Sequence, residues 1–156
     1  MKEIELTKGY KAKIDDEYFE EFSKYSWHVL GYKGHLYAYR AEIIDGKTYH
    51  ISMHSQLMGR KYIDHKDGDG LNNQRHNLRP YNNHSENMTN CKSSNNTGYK
   101  GVYRRKNGLF KVTVTKNSKQ YFGGDYATPE EAAIKYNELA LQYQGEFARL
   151  NEIRTT

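Results

Sequence analysis

The chain has 156 residues, a net charge of +5, 36% hydrophobic residues and only 2 Pro, with a mean hydropathy of −1.04. One large core is excluded at that hydropathy, and 15 Tyr within 13% aromatic residues exclude a disordered chain. No stretch approaches the roughly 20 apolar residues that cross a bilayer, so small folded modules and no membrane partner are expected.

The opening MKEIELTKGYK carries no apolar signal region. Residues 1–60 read as a small β-rich unit. Asp15–Phe22 has the pattern of a short acidic helix with Phe19 and Phe22 on one side, and Trp27, the one Trp, is expected to anchor the core. Leu36, Ala38 and Ile43-Ile44 lead into Asp45-Gly46, a strong hairpin-turn signal, and then Tyr49 and Ile51. Residues 53–59, MHSQLMG, predict a helical turn stopped by Gly59.

Residues 61–90 are polar and rich in Gly, Asn and Asp, which predicts a tight loop between short strands and one short helix over Asn83–Asn90. Residues 91–98, CKSSNNTG, read as a linker. Beyond them Tyr99–Tyr103, Phe110–Thr115 and Gln120–Phe122 read as three strands. The second alternates, with Phe110, Val112 and Val114 on one face and Lys111, Thr113 and Thr115 on the other. Thr128-Pro129-Glu130-Glu131 then supplies an N-cap, a Pro at the first helical position and a capping-box Glu. Ala132, Ala133, Tyr136, Leu139, Ala140 and Tyr143 recur at helical spacing until Gly145. The expected fold class is α+β, ending in a three-stranded antiparallel sheet packed on one helix over 99–151.

Charge is unevenly spread. Residues 1–60 carry nine cations and nine acids, 61–90 four and four, and 91–156 eleven and six. Between Cys91 and Tyr121 stand Lys92, Lys100, Arg104, Arg105, Lys106, Lys111, Lys116 and Lys119 with no acid. Such a basic face suits a polyanion, against the plainer reading of a solvated surface. Cys91, the one cysteine, cannot form an internal disulfide, which fits a reducing, intracellular compartment.

Chemistry gathers in the middle. Asp64-His65 follows Tyr62-Ile63, as at a strand end presenting two polar heads. Phosphodiester hydrolysis needs a base of near-neutral pKa, which imidazole supplies. It also needs a hard cation against the scissile phosphate, which carboxylate and amide oxygens hold. Alone, an Asp-His pair is more often a turn or surface feature. Here Asp64-His65-Lys66-Asp67-Gly68-Asp69-Gly70, Asn72-Asn73, Asn77-Leu78-Arg79 and Ser85-Glu86-Asn87 together resemble the HNH endonucleases of phage and mobile introns. That resemblance implies a ββα-metal core over 61–90, with His65 as general base, Asp64 as a ligand of Mg²⁺ or Mn²⁺, and Asn77 holding the loop and orienting the His65 ring. It makes Asn87 the second ligand. The run from Asn77 to Asn87 is one residue longer than the family's gap, so either the extra residue sits around Pro80-Tyr81-Asn82 or a neighbour, Asn83, His84 or Glu86, is the ligand. His54 reads first as a packed or capping residue, and the resemblance adds a supporting role.

The last third is similar to the APETALA2/ethylene-response-factor DNA-binding domain through Tyr99-Lys100-Gly101-Val102, Gly108-Leu109-Phe110, Tyr121-Phe122-Gly123, Pro129-Glu130-Glu131-Ala132-Ala133 and Gly145 to Asn151. That likeness implies a sheet entering the DNA major groove through Lys100, Arg104, Arg105, Lys111, Thr113, Thr115, Lys119 and Tyr121. Several positions that are Arg in that family are Lys or Thr here, which favours phosphate-dominated, loosely specific binding. Strand three carries an extra residue around Gly123-Gly124-Asp125.

The expected protein is therefore a metal-dependent DNA endonuclease of a bacterial or phage-infected cytoplasm, a monomer or homodimer that nicks duplex DNA to 5′-phosphate and 3′-hydroxyl ends. The alternative is a non-catalytic DNA-binding protein on a decayed HNH scaffold, against which Asp64, His65 and Asn77 are intact. A zinc regulator built on His50, His54, His65, His76, His84 and Cys91 matches no standard ligand spacing.

Overall fold

Asp45 and Gly46 close a two-residue hairpin in which both have positive φ, 50° and 72°, the turn whose twist matches the strands it joins. The computed structural model describes residues 1–32, 34–82, 84–91, 93 and 95–154. In it the chain mixes helix and strand and divides into two units, Met1–Asn82 and Asn83–Thr156.

The first unit runs β1 (Lys2–Glu5), β2 (Lys11–Ile14), α1 (Asp16–Phe22), β3 (His28–Tyr32), β4 (His35–Ile44), β5 (Lys47–Ser52), α2 (Met53–Met58), β6 (Ile63–His65) and β7 (Leu78–Pro80). β1 pairs with β2, β3-β4-β5 form an antiparallel sheet, and β6 pairs with β7. Trp27 is buried as expected. Its indole lies parallel to the Phe22 ring at 5.8 Å and donates Nε1–H to the Phe22 carbonyl at 2.8 Å, so the one polar atom of a large apolar ring is satisfied. Gly59, at φ 64°, ends α2 in the left-handed conformation.

One core joins Ile4, Ile14, Phe22, Trp27, Met53 and Leu57 to Ile63 of β6 and Leu78 of β7. The segments read separately as 1–60 and the start of 61–90 thus share their buried side chains. Hydrogen bonds reinforce the union. Lys13 and the loop after β6 exchange Lys13 N–H to Leu71 O at 2.8 Å and Asn73 N–H to Lys13 O at 2.9 Å. The Asp15 carboxylate accepts from Gln74 Nε2 at 3.2 Å and from the Arg75 amide at 2.7 Å.

The second unit holds α3 (His84–Thr89), β8 (Val102–Arg104), β9 (Phe110–Lys116), β10 (Lys119–Tyr126) and α4 (Pro129–Gln144). The sheet order is β10-β9-β8, all antiparallel. The capping box of α4 forms, with Thr128 Oγ1 accepting from the Glu131 amide at 3.2 Å and Glu131 Oε2 from the Thr128 amide at 3.2 Å. Val102, Val112 and Val114 pack against Ala132, Ala133, Tyr136 and Ala140 of α4. β8 is shorter than expected because Tyr99 belongs to the turn before it. β10 is longer and bulged at Gly123, where the register shifts between Phe122 and Gly124.

Candidate active site

β6 is three residues long and wholly buried, and its antiparallel partner sets what faces what: Ile63 opposite Pro80, Asp64 opposite Arg79, His65 opposite Leu78. Arg79 donates Nε–H and Nη2–H to the same carboxylate oxygen, Oδ2 of Asp64, at 2.8 and 2.7 Å. Both side chains are buried, so the pair answers the cost of removing either charge from water. Tyr81, one residue past β7, has its hydroxyl raised above the usual range by burial and then by Tyr62 and the Asp64 carboxylate.

His65 is also buried. Its Nε2–H donates to Asn73 Oδ1 at 3.5 Å. An amide oxygen only accepts, so Nδ1 is the acceptor nitrogen of the neutral ring. Burial lowers the His65 pKa, and the Asn73 hydrogen bond with the carboxylates of Asp67, Asp64 and Asp69 offsets this only in part. A ring held neutral at pH 7 can take a proton.

Asn77 organises the loop between His65 and β7. Its Oδ1 accepts from the Asp67 amide at 3.1 Å, and its Nδ2 donates to Asp67 Oδ1 at 2.9 Å and Asn72 O at 2.8 Å. Burial opposes ionisation of Asp67, but hydrogen bonds from Asp69, Asn72 and Asn77, with the nearby His65 imidazole a smaller influence, outweigh it and hold that carboxyl below its usual range. Gly70 is buried and must be glycine, because a Cβ there would strike the Leu36 carbonyl and the Tyr37 ring. The loop and β4 thereby approach closely.

Tyr37 and His54 complete the surroundings. The His54 and His65 ring centres are 5.0 Å apart and nearly perpendicular, with Tyr37 at 5.8 and 5.7 Å from them. His54 Nε2 meets Ser52 Oγ at 3.0 Å, while its Nδ1 is buried without a hydrogen-bond partner among the described residues. Burial, then the repulsion that a second protonated ring at His65 would bring, lowers the His54 pKa to about 3. Sequence reasoning gave no part to Asn73, Arg79 or Tyr37. Asn73 and Arg79 stood inside the quoted motif, but their partners follow from strand register and loop path.

Of the further ligand candidates, Asn87 and Glu86 lie on α3 in the second unit, both half-buried. Asn83 and the side chain of His84 lie outside the described residues, as does Lys92. Among the described residues no group of three or more His, Cys, Asp or Glu side chains is arranged to cage a metal. The chemistry of Asp64, a single hard carboxylate, suits Mg²⁺, which is commonly held by one or two carboxylates together with water and substrate phosphates.

In the second unit, the sheet face away from α4 carries Tyr103, Lys111, Thr113, Thr115, Gln120, Phe122 and Asp125 by register. Lys111 and Thr115 are there as expected. Thr113 is too, but buried, and its Oγ1 has no hydrogen-bond partner among the described residues. Arg105 reaches this face, its Nε–H donating to Asp125 Oδ1 at 2.6 Å and its guanidinium 5.8 Å from the Phe122 ring centre. Three expectations change. Arg104 stands opposite Phe110, a core residue, and so has the helix-side parity. Lys100 lies before the sheet, and its ammonium donates to the carbonyls of Thr89 and Cys91 at the end of α3. Burial, chiefly, lowers its pKa to about 8, opposed by Cys91 and aided to a lesser degree by Arg149. Tyr121 stacks on Tyr143 of α4 at 4.2 Å.

The bulge is the physical reason for the last change. One extra residue reverses side-chain parity on one side of it, so Tyr121 turns inward and Phe122, 60% exposed, turns outward. Gly123 is required at the bulge, because a Cβ would stand 2.5 Å from Leu139 Cδ1 and 2.8 Å from Val112 Cγ1. Lys119 sits opposite Lys116 at the exposed hairpin end.

β6 thus ends in a buried Asp64-His65 pair beside a loop stapled by Asn77. No family model matches the chain, and no solved structure matches it. An uncharacterized HNH endonuclease of Acanthamoeba polyphaga mimivirus is 31% identical over 152 residues, covering 94% of this chain and 77% of that protein. The chain belongs to the HNH endonuclease family. Among the described residues no helix is long and apolar enough to cross a membrane.

Proposed function

We propose that this chain is a metal-dependent DNA endonuclease that hydrolyses phosphodiester bonds at Asp64–His65 and holds duplex DNA with the open face of its C-terminal sheet. The observation that carries this reading is His65 itself, buried and neutral, with Nε2–H committed to Asn73. His65 Nδ1 takes the proton of the attacking water. Asn73 is the positioning residue for the ring, and Asn77 keeps the loop from drifting. Asp64 would hold Mg²⁺ or Mn²⁺, sharing the carboxylate with Arg79. When bound, that cation offsets the charge growing on the scissile phosphate and the leaving oxygen. One such site per chain makes nicking the default, with 5′-phosphate and 3′-hydroxyl products and double-strand cleavage requiring a dimer or a second event.

On the APETALA2-like reading, the sheet face enters the major groove, with Arg105, Lys111, Thr115 and Phe122 toward the DNA. Arg105 is already paired with Asp125, which tempers its charge and supports loosely specific, phosphate-led binding. The binding-only alternative has one observation behind it: Arg79 already gives the Asp64 carboxylate a buried counter-charge.

The test is supercoiled plasmid, with the native host DNA alongside, incubated with Mg²⁺ or EDTA and with wild-type or His65→Ala protein. Mg²⁺-dependent opening of the circle that disappears in the variant supports the nuclease. Band retardation without cleavage of any substrate in Mg²⁺ or Mn²⁺ supports the binding-only protein.

A further inference from the structure

Tyr62 precedes the catalytic strand by one residue and has φ 63°, a conformation in which a bulky side chain is a genuine outlier. Strain of this kind collects where function requires it. Here folding gives no evident return, because the ring is 66% exposed and meets Tyr81 at 5.7 Å in an edge contact. The backbone is pinned on both sides of that ring. Tyr62 O accepts from the Tyr81 amide at 3.0 Å, and Ile63 is buried in the core. Arg60 and Lys61, immediately before it, are exposed and enter no ion pair among the described residues. Two exposed cations and an exposed Tyr62 in contact with Tyr81 thus stand immediately before β6, the strand that carries Asp64 and His65. Tyr62 to Asp64 is two strand residues, about 7 Å, or roughly two nucleotide steps along one DNA strand.

We propose that Tyr62, backed by Tyr81 and flanked by Arg60 and Lys61, is a substrate-positioning residue whose ring packs on a deoxyribose or base face of the DNA strand one or two nucleotides from the cut. The proposal rests on the nuclease reading above. Arg60 and Lys61 hold phosphates without regard to sequence, and the ring sets how far the strand slides past His65. The backbone strain keeps the ring turned outward, where a relaxed conformation would let it fold onto the apolar surface.

Tyr62→Asn and Tyr62→Phe test this, each read by cleavage rate against DNA concentration and by thermal midpoint. Asn accepts the left-handed conformation, so Tyr62→Asn is expected to keep or raise the midpoint while cleavage at subsaturating DNA falls about tenfold, mostly through KM. Tyr62→Phe is expected to cleave like wild type. A Tyr62→Asn protein as efficient as wild type, or one whose loss of cleavage follows a fallen midpoint, overturns the proposal alone. So does a Tyr62→Phe protein as poor as Tyr62→Asn. Wild-type protein that cleaves no DNA overturns the nuclease reading and this proposal with it.

Discussion

Arg79 places two guanidinium N–H groups on one oxygen of Asp64, across a two-stranded ladder and away from water. The arrangement seats a carboxylate and its counter-cation beside His65 inside the protein. Removing the cation leaves an uncompensated buried charge, so Arg79→Met is expected to destabilise the first unit by about 3–5 kcal/mol. The double variant Asp64→Asn/Arg79→Met should recover much of that loss. Chemical denaturation of the three proteins checks it, and an Arg79→Met protein as stable as wild type would show that the pair is not what neutralises Asp64.

Asn73 and Asn77 make separable contributions. Asn77→Ala strips hydrogen bonds from the Asp67 amide, the Asp67 carboxylate and the Asn72 carbonyl, and is expected to cost about 1–3 kcal/mol in stability. Asn73→Ala releases the His65 ring and is expected to lower kcat far more than DNA affinity, with the acidic limb of the pH–rate profile displaced. Parallel profiles for Asn73→Ala and wild type would count against the positioning role.

Acid should destabilise the first unit through half-buried His54 and buried His65. His54 and His65 both have folded pKa values below the ordinary 6.5, His54 at about 3. The unfolded chain therefore binds more protons below pH 6.5, and stability present above that pH is lost as pH falls through the window toward 3. The slope from His54 approaches about 1 kcal/mol per pH unit. In His54→Gln protein the fall between pH 6.5 and pH 4, followed by urea midpoints, should be shallower; an unchanged slope would remove His54 from the account.

Neighbouring residues on β10 should behave oppositely. Tyr121→Ala removes the stack on Tyr143 and is expected to destabilise the second unit by about 1–3 kcal/mol, with DNA affinity of the folded protein little changed. Phe122→Ala, at an exposed position, should stay within about 0.5 kcal/mol in stability while DNA affinity falls several-fold. Fluorescence anisotropy at fixed salt, paired with thermal melts, separates the two. The reversed pattern would return Tyr121 to the DNA face.

Much of this protein is legible locally. A two-residue turn that needs positive φ at Asp45 and Gly46, a helix opened by Thr128 and Glu131, and a helix stopped by Gly59 each depend on residues within a few positions of one another. So does the alternation of β9, which puts Val112 and Val114 toward α4. The pairing of Asp64 and His65 is visible as a dipeptide, and the family follows from motif order.

What the sequence does not state is which atoms meet across the chain. The Asp15 carboxylate accepts from Gln74 and Arg75, some 60 residues away, and this fuses the N-terminal strands to the site loop. Arg79 finds Asp64 only because β6 and β7 adopt one register. Lys100 reads as one more cation for DNA, yet it closes the end of α3. Tyr121 and Phe122 exchange faces because a bulge is a property of two paired strands, with the extra residue at Gly123 defined only against β9. Sequence by itself determined the local elements, the Asp64-His65 dipeptide and the family, since short-range sterics and residue chemistry suffice for them. Tertiary structure alone decided pairing, parity and burial, because each depends on a partner whose place the chain sets only by folding.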